Sequence, residues 1–297
     1  MSQIKTMSEA DIEKVAARQK VVKIIVQVLL YLFLTVMALI VLFPFYWMII
    51  SSLKDMAEYR RSIPTLFPEV VRWGNYVKVF QNEDLNLARL FTNTVYVGIV
   101  STIISLVITV ITAFAFARLE FKGKNALFAM LLATMMIPGE LFTITNFQTI
   151  HALEWQNTYT VLIVPFLVSV FYIYLLKQNF MQIPNELYLA AKVDGTTDLK
   201  YLWKVMIPLA LPTIISITIL KMMGAWNSYM WPKLVANDEE HRLITNGLRE
   251  AFTDASGQTD IPVQMAAVAL VSLPLFLVFV FLRKYIMKGV SRSGIKG

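Results

Sequence analysis

Cysteine is absent from this chain of 297 residues, which excludes a disulfide framework and any thiolate metal site. Histidine is nearly absent too: His151 and His241 are the two present, isolated in segments read below as external, so metal binding has almost no support. There is no GxxxxGK[ST] phosphate loop and no HExxH or Ser/His/Asp constellation. The chain therefore carries no nucleotide or hydrolytic machinery of its own, and the expectation is that it is not an enzyme. Energy for any work must come from another subunit or from an ion gradient. Charge is also scarce, at 16% Asp, Glu, Lys and Arg.

What is abundant is apolar. Hydrophobic residues make up 57% of the chain and mean hydropathy is +0.60, above the apolar share of an ordinary soluble domain. A bilayer core is crossed by about 20 apolar residues, and six runs qualify: 24–50, 93–117, 126–148, 158–176, 207–231 and 262–283. The first is followed by SSLKD, without a small-residue cleavage site, and reads as a retained helix rather than a signal peptide. The fold class expected is all-α: a polytopic membrane protein of six transmembrane helices over 24–283, with end segments 1–23 and 284–297. Pro44, Pro138, Pro165 and Pro274 lie inside these runs and are expected to kink them, with neighbouring helices satisfying the freed carbonyls.

Lysine and arginine set the orientation. With the amino terminus inside, 17 of the 27 fall inside and nine outside, and Lys221 lies within a span. Both termini are then cytoplasmic. The net charge of +7 is mostly topology, so nucleic-acid binding is not indicated.

Between the fourth and fifth runs lies a polar interruption, IPNELYLAAKVDGTTDLKYLWKVMIP, residues 183–208. Leu187, Ala190, Ala191 and Asp194 fall at i, i+3, i+4 and i+7, giving a short helix with a small-residue face ending in a carboxylate. Gly195 allows a backbone reversal. Thr196 or Thr197 can cap a second helix, in which Leu199, Leu202, Trp203 and Met206 repeat the spacing. The pair forms an elbow that a soluble partner could grip at a membrane surface; by spacing alone, an amphipathic interfacial segment is an equal reading.

Two charges lie within spans, where an ionised side chain costs about 2.5–3.5 kcal/mol on insertion scales. Lys221 lines an aqueous path or pairs with Glu140 across the bundle, or, equally, the two snorkel from less deep positions. Close by on the fifth span, Trp226, Asn227 and Tyr229 offer an aromatic plane with hydrogen-bonding neighbours. That suits a sugar, and an interface-level tryptophan with a packing asparagine is the equal alternative.

The landmarks FPFYWMIISSLK (43–54), FTNTVYVG (91–98), AFAFARLEFKGK (113–124), MMIPGE (135–140), IPNELYLAAKVDGTT, WNSYMWP (226–232) and RKYIMKGVSRSGIKG (283–297) occur in order along nearly the whole chain. Together they resemble the carbohydrate permeases of bacterial ABC importers, of the maltose-transporter membrane-subunit type. The resemblance implies one half of a heterodimeric pore in the bacterial cytoplasmic membrane, in contact with lipid and a second permease subunit. It implies that the elbow, through Glu186, Leu189, Ala190, Ala191, Asp194 and Gly195, docks on a cytoplasmic ATPase dimer. ATP and Mg would be bound there and no cofactor by this chain. An extracytoplasmic solute-binding protein would deliver a carbohydrate to a path including Glu140, Lys221, Trp226, Asn227 and Tyr229, meeting the face formed by segments 51–92 and 232–261. Two positions depart from the family pattern: Leu189 stands where a glutamate is usual and Thr196 where an alanine is usual. The alternative is a stand-alone secondary transporter, which would call for internal repeats, broken midplane helices and paired ionisable residues.

Overall fold

A computed structural model of the chain describes residues 9–82, 85–252 and 260–291, and the side chains of 18–82, 85–252 and 260–283. The first eight residues of the expected amino-terminal segment, the last six of the tail, and 253–259 of the second external segment lie outside these. Every regular element among the described residues is helical. In order they are α1 (Glu9–Ser52), α2 (Met56–Tyr59), α3 (Gly74–Gln81), α4 (Leu87–Arg118), α5 (Lys124–Thr134), α6 (Thr143–Ala152), α7 (Tyr159–Ile163), α8 (Val170–Met181), α9 (Asn185–Val193), α10 (Asp198–Tyr201), α11 (Ile207–Trp226), α12 (Met230–Val235), α13 (Ile244–Ala251) and α14 (Ile261–Ser291).

Four helical stretches are long and apolar enough to cross a bilayer unbroken: Arg18–Ser52, Leu87–Arg118, Asp198–Trp226 and Ile261–Arg283. The third and fourth expected spans are not continuous. Lys124–Thr134 meets Gly139–Ala152 at 80°, and Tyr159–Phe166 meets Val170–Met181 at 45°. Counting each bent pair as one span gives six. Both breaks sit at prolines treated above only as kinks. Pro138 and Pro165 lack the N–H that would continue the helical ladder, and their rings crowd the preceding turn. A short 3-10 turn flanks each break, Gly139–Phe142 following Pro138 at the first and Val164–Phe166, which contains Pro165, preceding the second. Pro44, Pro212 and Pro274 stay within unbroken helices.

α4 is the central post. Its faces contribute to all three apolar clusters of the fold. One joins Val79, Leu90, Trp226, Ile244 and Val263; another joins Phe114, Leu176, Phe180, Tyr201 and Met206 near the elbow; the third joins Val97, Ile150, Val161, Trp231 and Leu243. Small and hydroxyl residues let the neighbours approach α4 closely: Thr94, Gly98, Ser101, Thr102, Ser105 and Thr109 form a buried stripe along it. Thr94 Oγ1 donates back to the Leu90 carbonyl at 2.8 Å and accepts from the Ile244 N–H at 2.8 Å, which ties α13 to α4. α1 packs along α14 at the edge of the bundle, and its most apolar window buries no residue inside the chain.

Candidate functional site: a locked elbow and a cavity at a helix break

α9 ends in a Schellman motif. Gly195 adopts φ +68°, its N–H donates to the Lys192 carbonyl at 3.1 Å, and the Thr196 N–H reaches back to Ala191 at 2.8 Å. This is the six-to-one and five-to-two pair that closes a helix on a left-handed residue, and a glycine takes that conformation without a Cβ penalty. A polar lock then fixes the angle of the elbow. Tyr188 Oη donates to Asp198 Oδ1 at 2.8 Å, and Lys192 Nζ lies 2.7 Å from the same oxygen. Tyr188 and Lys192 are one turn apart on α9 and Asp198 opens α10, so one carboxylate joins the two helices. The hydrogen bond to Asp198 holds the Lys192 ammonium above its ordinary pKa, and burial, followed by the bond to Asp198, raises the Tyr188 phenol.

Two local expectations are corrected. Thr197 occupies the N-cap position with extended backbone, but its side chain makes no capping bond; the Asp198 lock holds the junction in its place. The second stripe also divides. Leu202 and Met206 are buried, whereas Leu199 and Trp203 are 62% and 64% exposed. Residues 202–206 form a π-turn, whose wider winding turns Leu202 and Met206 to the core and leaves the other two outside.

On the outer face, Leu187, Leu189, Val193, Leu199 and Trp203 all present apolar surface. Ala190 is exposed, and Ala191 is half-buried against the elbow-side cluster. Glu186 and Asp194 are exposed, and no ion pair ties either carboxylate to another described residue. Behind the elbow, the buried Arg118 at the end of α4 donates through Nη2 to the carbonyls of Phe180, at 2.9 Å, and Ile183, at 2.5 Å. These close α8 and open the elbow, so α4 and the elbow are joined by a charge-assisted bond.

The second feature is a cavity of about 370 Å³ beside the break in the fourth span. Phe166 and Ser169 come from the break, Tyr172 from α8, Ser101 from α4, Lys221 from α11, Ser228 from the turn that follows and Trp231 from α12. The Lys221 ammonium donates to the Phe166 carbonyl, a group the break frees from the helical ladder. Trp231 stands edge-on to Phe166 with centroids 6.0 Å apart and is fixed by its Nε1–H donating to the Val161 carbonyl at 3.0 Å.

Of the five residues placed on a substrate path from sequence, Lys221 alone lines this cavity. Its pairing with Glu140 is not formed: Glu140 is exposed on the 3-10 turn at the third-span break, and Lys221 bonds a carbonyl instead. Trp226 is buried in the core, edge-on to Phe91 at 5.3 Å. Asn227 ends α11, its N–H bonded to Met223 at 3.0 Å and its side chain exposed. The Tyr229 ring faces the cations of Lys233 and Arg249, at 5.7 and 5.4 Å. Ser101, Ser169, Tyr172, Ser228 and Trp231 were missed as a set; no spacing rule gathers residues from three separate elements around a helix break. His241 is not isolated either. Its Nδ1 lies 2.6 Å from Asp238 Oδ2, and with Glu240 the ligand atoms fall within 4.8 Å of one another. Histidine and aspartate satisfy each other there, and nothing else points to a metal.

Residues 105–292 match the family described as the binding-protein-dependent transport system inner membrane component. The chain belongs to that family. The matched stretch runs from the middle of α4 through the elbow and the cavity to the end of α14. The permease is 30% identical over 262 residues to an arabinooligosaccharides transport system permease protein of Halalkalibacterium halodurans, covering 88% of this chain and 93% of the relative. It is 28% identical over 282 residues to a trehalose/maltose transport system permease protein of Thermococcus litoralis, covering 94% and 99%. It is 26% identical over 267 residues to an sn-glycerol-3-phosphate transport system permease protein of Pectobacterium atrosepticum, covering 89% and 95%. Its fold superposes with a TM-score of 0.77 on a solved bacterial ABC transporter involved in the import of the acidic polysaccharide alginate, at 23% identity, over 94% of this chain and 99% of that one. The permease is thus a multi-pass membrane component of a binding-protein-dependent transport system, in a family of transport permeases rather than of enzymes.

Proposed function

We propose that this permease forms half of the membrane pore of an ATP-driven carbohydrate importer and is driven through its elbow by a cytoplasmic ATPase dimer. The observation that carries the reading is the elbow itself: internally locked, yet apolar on its outer face. A lever that transmits force must keep its shape, and the Schellman closure, the Asp198 lock and the Arg118 tie each remove a way for it to bend. Its outer Leu187, Leu189 and Val193 would cover apolar surface on the partner. Leu189 replaces the family's usual carboxylate, so docking there rests on burial, with Glu186 and Asp194 left as the acidic contacts.

Closure of the ATPase around ATP and Mg would move the elbow as a unit and rock the spans between inward-open and outward-open states. A second permease subunit would complete the pore, and an extracytoplasmic binding protein would dock at the end opposite the elbow. Segment 53–76 there is tightly folded: Asn75 Nδ2 donates to the Ser52 and Lys54 carbonyls at 2.9 and 2.7 Å, and the buried Glu58 accepts from Thr65 Oγ1 at 2.5 Å. The orientation is that of the basic residues, with both termini and the elbow in the cytoplasm of a bacterial cell. The carbohydrate assignment draws on the relatives, whose names give arabino-oligosaccharides, trehalose/maltose and sn-glycerol 3-phosphate. Ion-coupled transport would need paired ionisable groups in the membrane, and Lys221 and Glu140 stand apart.

Co-purification of the ATPase with Leu189 variants tests the reading. Leu189→Ala weakens assembly by about 1.5–3 kcal/mol if the side chain is fully covered in the complex, and Leu189→Asp weakens it more. An ATPase retained equally by both variants at wild-type expression would show that Leu189 faces lipid or water.

A further inference from the structure

We propose that the cavity at the break of the fourth span is a saccharide subsite selective for an anionic sugar, with Lys221 as its charge-reading residue. The inference rests on the carbohydrate reading above and deepens it by naming a substrate class. Two kinds of wall meet around Lys221. Trp231, Phe166 and Tyr172 supply aromatic surface of the kind that stacks on the C–H face of a sugar ring. Ser101, Ser169 and Ser228 supply polar groups for its hydroxyl edges. The volume of about 370 Å³ falls within the range of small-ligand pockets, about 300–1,000 Å³.

The charge selects among sugars. No aspartate or glutamate lines the cavity, and no ion pair to Lys221 is formed among the described residues. An ammonium within a span is costly unless compensated. It has three N–H donors, and the Phe166 carbonyl takes one. A purely structural role, capping a carbonyl freed at the break, needs a donor but no charge, and so leaves the cation unexplained. Compensation by an occupant explains it: the carboxylate of a uronic acid or the phosphate of a sugar phosphate would complete the remaining donors while its ring lies against the aromatic walls.

The test uses the complete transporter, this permease with its partner permease and ATPase, in lipid nanodiscs without the binding protein. Equilibrium binding is measured for digalacturonate, glucose 6-phosphate and the neutral disaccharide galactobiose. At least one anionic probe should bind roughly tenfold or more tightly than galactobiose, the size expected of a hydrogen bond to a charged group, and the probe that does so identifies carboxylate or phosphate as the anion. Lys221→Met should bring that ratio to about one and Lys221→Arg should restore it. Equal affinities for neutral and anionic probes in the wild-type complex, or a ratio that survives Lys221→Met, would overturn the assignment and leave the carbohydrate reading standing. If Lys221→Met fails to assemble, the wild-type ratio decides alone. Failure of all three sugars to bind would overturn the subsite and leave the carbohydrate reading standing.

Discussion

Single residues carry the sharpest constraints. Gly195 has open space where a Cβ would stand, but its φ of +68° is strained for any L side chain. Gly195→Val should therefore open the elbow and abolish transport, while Gly195→Asn, which tolerates the left-handed region, should retain most of it. Uptake assays at matched expression separate the two, and wild-type uptake by the valine variant would remove the elbow from the mechanism. Gly247 presents the opposite problem. A Cβ there would lie 2.4 Å from Leu90 Cδ2 and 2.5 Å from Cδ1, and Leu90 is buried. Gly247→Ala should loosen α13 from α4 at a cost of about 1–3 kcal/mol, the usual range for overpacking, visible as a lower melting temperature of the purified complex. Gly98→Ala meets only the flexible end of Met222 and should be milder. The glycine at 195 was legible in the sequence because it follows a helix with a small-residue face; the one at 247 was not, since its neighbour Leu90 is far away in the chain.

At the scale of elements, the elbow was the most legible part of the chain. Its two short helices and their reversal follow from local spacing and one glycine. Its second apolar stripe was misread because the π-turn at Leu202–Met206 has no signature in a 3.6-residue pattern. The helix breaks were half legible: the prolines were visible, but whether a proline kinks or breaks depends on what its freed carbonyls find, and Lys221 answers the Phe166 carbonyl from another span. The polar lock predicts its own pH behaviour. The bond to Asp198 raises the pKa of Lys192 and depresses that of Asp198, so the stabilisation it lends is complete between the ordinary 3.8 and 10.5 and is lost as pH rises through the higher folded value of the lysine or falls through the lower folded value of the carboxyl. At the other end, the Glu58 backbone N–H depresses the pKa of Asp55 and the Arg61 side chain that of Glu69. Their stabilisation is complete above the ordinary 3.8 and 4.5 and is lost as pH falls through the lower folded values. Limited proteolysis should therefore find segment 53–76 and the elbow both loosening in acid, the elbow alone loosening again at strongly alkaline pH, and Asp198→Asn should expose the elbow at neutral pH. An elbow as well protected in Asp198→Asn as in the wild type at neutral pH would contradict the assignment of the lock.

For the whole molecule, class and span number came from composition, because a bilayer constrains length and apolarity more strongly than any local propensity does. The cavity was not legible, because its walls converge only after α4, the broken fourth span and α11 pack. Trp226 shows why proximity in sequence misleads. It sits five residues from Lys221, yet it turns into the core while Lys221 faces the cavity. The central claim is that force enters through the elbow, and the absence of native cysteine makes one measurement decisive. Val193, 88% exposed on α9, and Ile63, 83% exposed in the segment at the opposite end, are each changed to cysteine, and native membranes are labelled with a maleimide–benzophenone, which needs a thiol on the permease alone, and irradiated. Docking at the elbow predicts an adduct between the Val193→Cys permease and the ATPase, suppressed by Gly195→Val, and none from Ile63→Cys. An ATPase adduct from Ile63→Cys, or none from Val193→Cys in an assembled and transporting complex, would contradict it.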